Sequence, residues 1–311
     1  MSLAKLLLDA GADPNDDQSL YHAVERFSTD ALELLYGYGL KPERLSYCML
    51  HQIDLGFVPG VRWFLDHGGN PNVQHPNGLT ALHWALMRPG SSQMIELLLE
   101  RGADARAKTP AGHTTLDMAE RRHGKVDSVS ALERHGAGRS ERNVLDELVV
   151  AAAYGDEPRA KALLEANPGL LSQLSHEDRA LVARFAEAGN RQGALILARL
   201  GFDLAHPSWM GMTALHWAAC RGNPQMLREL LAAGAPLLDV PGFGTPLHTA
   251  LHQRWSSFGH RPGESDYIGV VRALLDSGLE LPDRLGPCGD VEIDALIAAR
   301  ASHTADSAGA D

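Results

Sequence analysis

The amino-acid sequence predicts an all-α solenoid, a stack of helix-turn-helix units with hairpin-loop fingers. Three observations carry that prediction. An apolar helix closed by glycine recurs along the chain, a short Thr-led segment recurs in phase with it, and polar Pro/Gly-rich stretches separate successive units.

The glycine-closed helix is seen in LLLDAGAD ending at Asp13, LELLYGYGL at Leu40, VRWFLDHGGN at Asn70, IELLLERGAD at Asp104, VSALERHGA at Ala137, LILARLGFD at Asp203, LRELLAAGA at Ala235 and VRALLDSGL at Leu279. The closing residues are Gly11, Gly39, Gly68, Gly102, Gly136, Gly201, Gly234 and Gly278, and the spacing settles on about 33 residues. The long step from Gly136 to Gly201 holds two units, the first closed by ALLEANPG near Asn167. A glycine placed there ends a helix in the left-handed backbone region, which a residue with a side chain enters only at a cost.

The second element opens a shorter helix before each Leu-rich one: Thr80-Ala81-Leu82-His83, Thr213-Ala214-Leu215-His216 and Thr245-Pro246-Leu247-His248. Weaker copies stand at Ser19-Leu20-Tyr21-His22, Cys48-Met49-Leu50-His51 and Thr114-Thr115-Leu116-Asp117. Thr and Ser are helix-capping residues, so each copy marks a helix start. Stretches such as Asn70-Pro71-Asn72-Val73-Gln74-His75-Pro76-Asn77-Gly78 read as projecting hairpins.

With the Thr-[Ala/Pro]-Leu-His motif, the Leu-rich second helix, its Gly-Ala-Asp ending and this period, the chain resembles the ankyrin-repeat family from Met1 to about Arg300. The resemblance implies a non-enzymatic scaffold or adaptor that binds a partner protein through a concave face and hairpin loops. It also implies that His83, His216 and His248 are structural, bonding backbone at the start of the first helix and between repeats. The organisation expected is an N-terminal block over residues 1–138, a half unit plus about four units, and a C-terminal block over 139–300. An insertion at 252–267 interrupts the second block, and the small, polar tail at 301–311 is expected to be disordered. The first Leu-rich helix has no partner before it, which leaves Leu3, Leu6, Leu7 and Leu8 partly uncovered.

Composition narrows the function. The formal net charge is −11 and no long Lys/Arg run breaks it, so the counterion-displacing face of a nucleic-acid binder is missing. No apolar stretch approaches the ~18 residues of a membrane helix. The three cysteines, Cys48, Cys220 and Cys288, are far apart, which disfavours a disulfide framework and fits a reducing, cytoplasmic setting. No nucleophile elbow, phosphate-binding loop or dinucleotide fingerprint is present, so no catalytic residue, cofactor or metal is expected. The rival reading is the repeat portion of a longer enzyme, or a metal-dependent hydrolase using His248, His252 and His260 near the insertion. It lacks the carboxylate that a His-Glu-x-x-His helix would supply.

Partner-binding residues are expected at the variable positions. In the fingers these are Asn77, Leu79, His113, Trp209, Met210, Met212 and Phe243. At the ends of the first helices they are Arg88, Arg122, Arg221 and His252, and in the insertion Trp255 and Phe258. Trp84 and Trp217, next to the motif histidines, read as core. Large apolar side chains on a finger are costly in water unless something covers them. Arginines facing a hollow in an acidic chain point to an acidic segment of a partner protein. The chain alone is expected to be monomeric.

Overall fold

A computed structural model describes residues 3–23, 28–87, 92–122, 126–253, 265–281, 285 and 287–308. Contacts divide the chain into two compact units, Met1–Arg142 and Asn143–Asp311, against a boundary expected between Gly138 and Arg139.

The first unit opens with α1 (Leu3–Asp9) and continues as helix pairs: α2 (Asp17–Ala23) with α3 (Asp30–Gly37), α4 (Pro42–Asp54) with α5 (Val58–Asp66), α6 (Ala81–Leu86) with α7 (Ser92–Glu100), and α8 (Thr115–Arg122) with α9 (Val126–Arg134). The second unit pairs α10 (Val144–Ala153) with α11 (Glu157–Glu165), and after a short α12 (His176–Arg179) pairs α13 (Leu181–Ala188) with α14 (Arg191–Arg199). It continues with α15 (Ala214–Cys220) and α16 (Pro224–Ala232), then α17 (Pro246–Gln253) and α18 (Tyr267–Asp276), and closes with α19 (Val291–Ala308). Among the described residues there is no strand, only isolated bridges at the fingers.

Inside each unit the first helices pack on one another, α4 on α6 on α8 and α13 on α15 on α17, and the second helices stack behind them. The core is therefore a strip shared between neighbours, with Phe64, Leu82, Met94 and Leu98 in the first unit and Phe185, Leu215, Met226 and Leu274 in the second. Each such side chain contributes roughly 1.5–3 kcal/mol when buried, and only stacking buries it. The eight helix-closing glycines all have φ between +81° and +94°. At Gly102 the reversal lets Ala103 N–H reach back to the Leu98 carbonyl at 2.9 Å, which closes α7.

Two expectations change. Helix α19 runs eighteen residues to Ala308, well into the segment expected to be disordered. Asp290 Oδ1 accepts from the N–H groups of Glu292 and Ile293, and the alanines that follow are strong helix formers despite their low apolar content. Of the four leucines expected to be uncovered on α1, Leu3, Leu6 and Leu7 are exposed, whereas Leu8 is buried in the core.

Candidate functional site

The finger bases are built by the Thr-led caps. Thr80 caps α6: its hydroxyl accepts from His83 N–H, while Thr80 N–H donates to His83 Nδ1 at 3.2 Å. With Nδ1 accepting, the ring proton sits on Nε2. At His216 that nitrogen lies 3.0 Å from the carbonyl of Gly244 in the next finger, and Thr213 Oγ1 lies 2.7 Å from Nδ1. Thr245 N–H likewise donates to His248 Nδ1 at 3.2 Å. Burial holds His83 and His216 below the ordinary imidazole range, against the opposing pull of the Ala107 and Gly244 carbonyls, so both rings stay neutral. All three motif rings thus serve their own helix starts, and His216 also links its unit to the next finger.

Asp117 replaces histidine in one copy and inverts the chemistry. Its Oδ2 accepts from Thr114 N–H and Oγ1–H, as the imidazole does, but a carboxylate has no proton to pass on. The following segment accordingly offers donors, Ser140 N–H and Oγ–H. Burial pushes the Asp117 carboxyl up, and these hydrogen bonds outweigh it and hold the group low. Beside it the buried Glu120 is held by Arg139 and Arg142.

The fingers close by bridges Gln74–Thr80, Lys108–Thr114 and Val240–Gly244. A fourth is closed by Ser208 N–H to the Met212 carbonyl at 2.9 Å. At its tip Met210 has φ +64°, the only non-glycine residue with positive φ among those described, and is 40% exposed. Asn77 and His252 are exposed, and His113 is half-buried. Leu79 and Phe243 are half-buried against the cores of their units.

Met212 is corrected. At 1% exposure it is a core residue, because it directly precedes Thr213 at the start of α15 and turns into the core of the second unit. Arg221 is corrected as well. Its Nη1 donates to the Glu187 carbonyl at 3.0 Å and its guanidinium lies over Gly189, 2.7 Å from where a Cβ would stand, so it is a structural clamp rather than a cation offered to a partner. Arg88, Trp255, Phe258 and His260 lie outside the described residues, as do the side chains of Trp209 and Arg122.

Trp84 and Trp217 are core residues, each with its indole N–H satisfied. Trp217 Nε1–H donates to Ser208 Oγ at 2.7 Å, and Trp84 Nε1–H to Asp54 Oδ1 at 2.7 Å. Around Trp84 the sequence reading missed a feature. Tyr21, Leu50, His51, Asp54, His75 and Trp84 line an open hollow of about 80 Å³. His75 stacks on Trp84 with centroids 4.4 Å apart, and Tyr21 stacks on His51 at 4.3 Å. The signal available was register: Asp54 precedes Trp84 by the same interval that separates Glu187 from Trp217.

Among the described residues no three His, Cys, Asp or Glu side chains stand together as a metal site. The His248 ring is engaged in its cap, and burial pushes the Cys220 thiol up to about 12, far from a reactive thiolate.

A family model described as ankyrin repeats (3 copies) matches residues 49–141 and 148–241. Human Rabankyrin-5 is 28% identical over 178 residues, 55% of this chain and 14% of that protein. A probable E3 ubiquitin-protein ligase of Oryza sativa subsp. japonica, XBOS32, is 29% identical over 160 residues, 49% of this chain and 31% of that protein. The chain therefore spans under a third of the length of either relative. The crystal structure of the human ASB11 ankyrin repeat domain aligns with 76% of this chain and 99% of its own, at 21% identity and a TM-score of 0.32.

Proposed function

The chain belongs to the ankyrin-repeat family, a family of protein-interaction modules, and on that footing we propose that it is a non-enzymatic adaptor binding a partner protein through its finger tips and first-helix faces. One observation carries the reading: Met210 is held exposed in the left-handed region, a strain of about 1–2 kcal/mol that a purely structural turn would remove with glycine. The groups that would be needed for chemistry, His83, His216 and Cys220, are instead consumed by caps and core. Within the second unit exposed His252 adds to the contact residues and Phe243 is half-buried against the core; within the first unit Asn77 and His113 stand at finger positions, with Leu79 half-buried against the core. Its three cysteines stand as free thiols, which supports a cytoplasmic setting; no described helix is long and apolar enough to cross a membrane. Alone it is a monomer.

The test uses the full chain immobilised against extract from its native cells with quantitative mass spectrometry. Met210→Ser with Asn77→Ala and His252→Ala should lower partner recovery by at least about tenfold. Arg159→Ala with Lys161→Ala, on the exposed side of α11, should leave it within about twofold. Equal recovery from both sets would place the binding face elsewhere.

A further inference from the structure

The methionines divide by burial into a protected set and one open member. Met49, Met94, Met212 and Met226 are at most 1% exposed in the cores of their units. Met87 and Met118 are half-buried and pack against the core of the first unit. Met210, at the tip of its finger, is the only exposed methionine among the described residues. Met212 makes the contrast sharpest, because the same side chain two residues further along the same finger turns inward.

A thioether is an apolar group that a peroxide turns polar and a reductase turns back. The sulfur lone pair attacks one oxygen of a hydroperoxide and the O–O bond breaks. The proton on the transferred oxygen passes to the departing oxygen, which leaves as water or an alcohol. Sulfur gives up an electron pair, and the peroxide is reduced. Access decides which sulfur reacts, since a buried one must wait for the fold to open locally. The finger itself is closed by backbone groups, with Ser208 N–H donating to the Met212 carbonyl at 2.9 Å and Gly211 N–H to the Ser208 carbonyl at 3.2 Å. An oxygen added to the Met210 sulfur therefore leaves the turn intact and changes only what its tip presents. We infer that Met210 is a reversible oxidation site for a hydroperoxide, which converts this finger tip from an apolar contact into a polar one. The inference rests on the adaptor reading for its effect on binding, and gives that contact a regulation. A sulfoxide oxygen pressed into an apolar partner surface without a donor is costly, so oxidation should release the partner.

The full folded chain is treated with hydrogen peroxide, and oxygen addition is followed at each methionine by peptide mapping and mass spectrometry. Met210 should convert at least about tenfold faster than Met87, Met118 or Met212, and in urea, where burial is lost, the rates should converge. Methionine sulfoxide reductases A and B, one for each sulfoxide epimer, should restore it, with their thiol reductant alone as the control. Chain oxidised only as far as Met210, with peroxide removed, should recover at least about fivefold less partner from native-cell extract, and reductase treatment should return it. An unchanged thermal unfolding midpoint of the oxidised chain guards against misfolding. Met212 or Met87 keeping pace with Met210 would overturn the inference. So would recovery untouched by oxidation while Met210→Ser loses the partner. If Met210 converts first and reversibly but neither oxidation nor the finger variants change recovery, the oxidation site stands and the adaptor reading falls.

Discussion

Trp84 and Trp217 occupy the same place in two copies of one six-residue motif, Thr-Ala-Leu-His-Trp-Ala, and their surroundings differ. Trp217 gives its indole N–H to Ser208 of its own finger, and Arg221 clamps the preceding helix end by the Glu187 carbonyl. Trp84 gives its N–H to Asp54, the side chain at the register position of Glu187, stacks on His75 and borders an open hollow. The motif thus fixes a buried ring, and the neighbours contributed by other units decide whether that ring seals the first-helix face or opens a recess in it. A repeat scaffold diversifies in this way without touching its own consensus positions.

The comparison can be broken most directly by truncation. Trp217→Ala should cost about 3–5 kcal/mol, because a closed site leaves a cavity, and Trp84→Ala should cost less because water can enter from the hollow. Urea unfolding followed by hydrogen exchange of each unit separates the two, and an equal cost would erase the distinction between sealed and open sites.

The acceptors sharpen it. Ser208→Ala strands the Trp217 indole N–H and should cost about 1–3 kcal/mol, whereas Asp54→Ala should cost under about 1 kcal/mol since water can replace the carboxylate. Thermal unfolding of the two variants reads the order, which the sealed-versus-open contrast requires.

A third measurement addresses what the two copies share. His83 and His216 are both held below the ordinary imidazole range by burial, so below pH about 6.5 the unfolded chain takes up protons that the fold refuses. Their stability contribution is complete above that value and is lost as the pH falls toward their folded-state values, by up to about 1.4 kcal/mol each one pH unit down. His83→Gln and His216→Gln should each flatten the slope of stability between about pH 6.5, where a free imidazole titrates, and about pH 5.5. An unchanged slope in both would mean that the folded rings take up protons as readily as the unfolded chain does.

The smallest effect lies at the finger tip beside Trp217. Met210→Gly should raise stability by under about 1 kcal/mol, since relief of the left-handed strain is partly offset by the added freedom of the unfolded chain. A calorimetric Tm that falls instead would mean that the Met210 side chain packs on its finger and is not held out for a partner.

Much of the scaffold was legible because helix ends announce themselves locally. Gly102 and its seven counterparts need a left-handed backbone, and Thr80 or Thr213 followed by histidine needs a cap, so spacing alone located the helices. The candidate surface was less legible. Met212 lies one residue from exposed finger positions, yet it belongs to the core, and Arg221 reads as a free cation until the Glu187 carbonyl is found beside it. Asp117 in place of histidine reads as a degenerate copy, although it keeps the link by exchanging donor for acceptor with Ser140.

By itself the sequence determined the period, the helix starts and stops, the all-α class and the family, because each depends on backbone preferences and apolar spacing within one unit. Only the tertiary structure decided which polar groups are consumed and which stay open. Asp54 and Trp84, or Arg221 and Glu187, are a full repeat apart, and their meeting depends on how neighbouring units stack, a geometry that local periodicity does not encode.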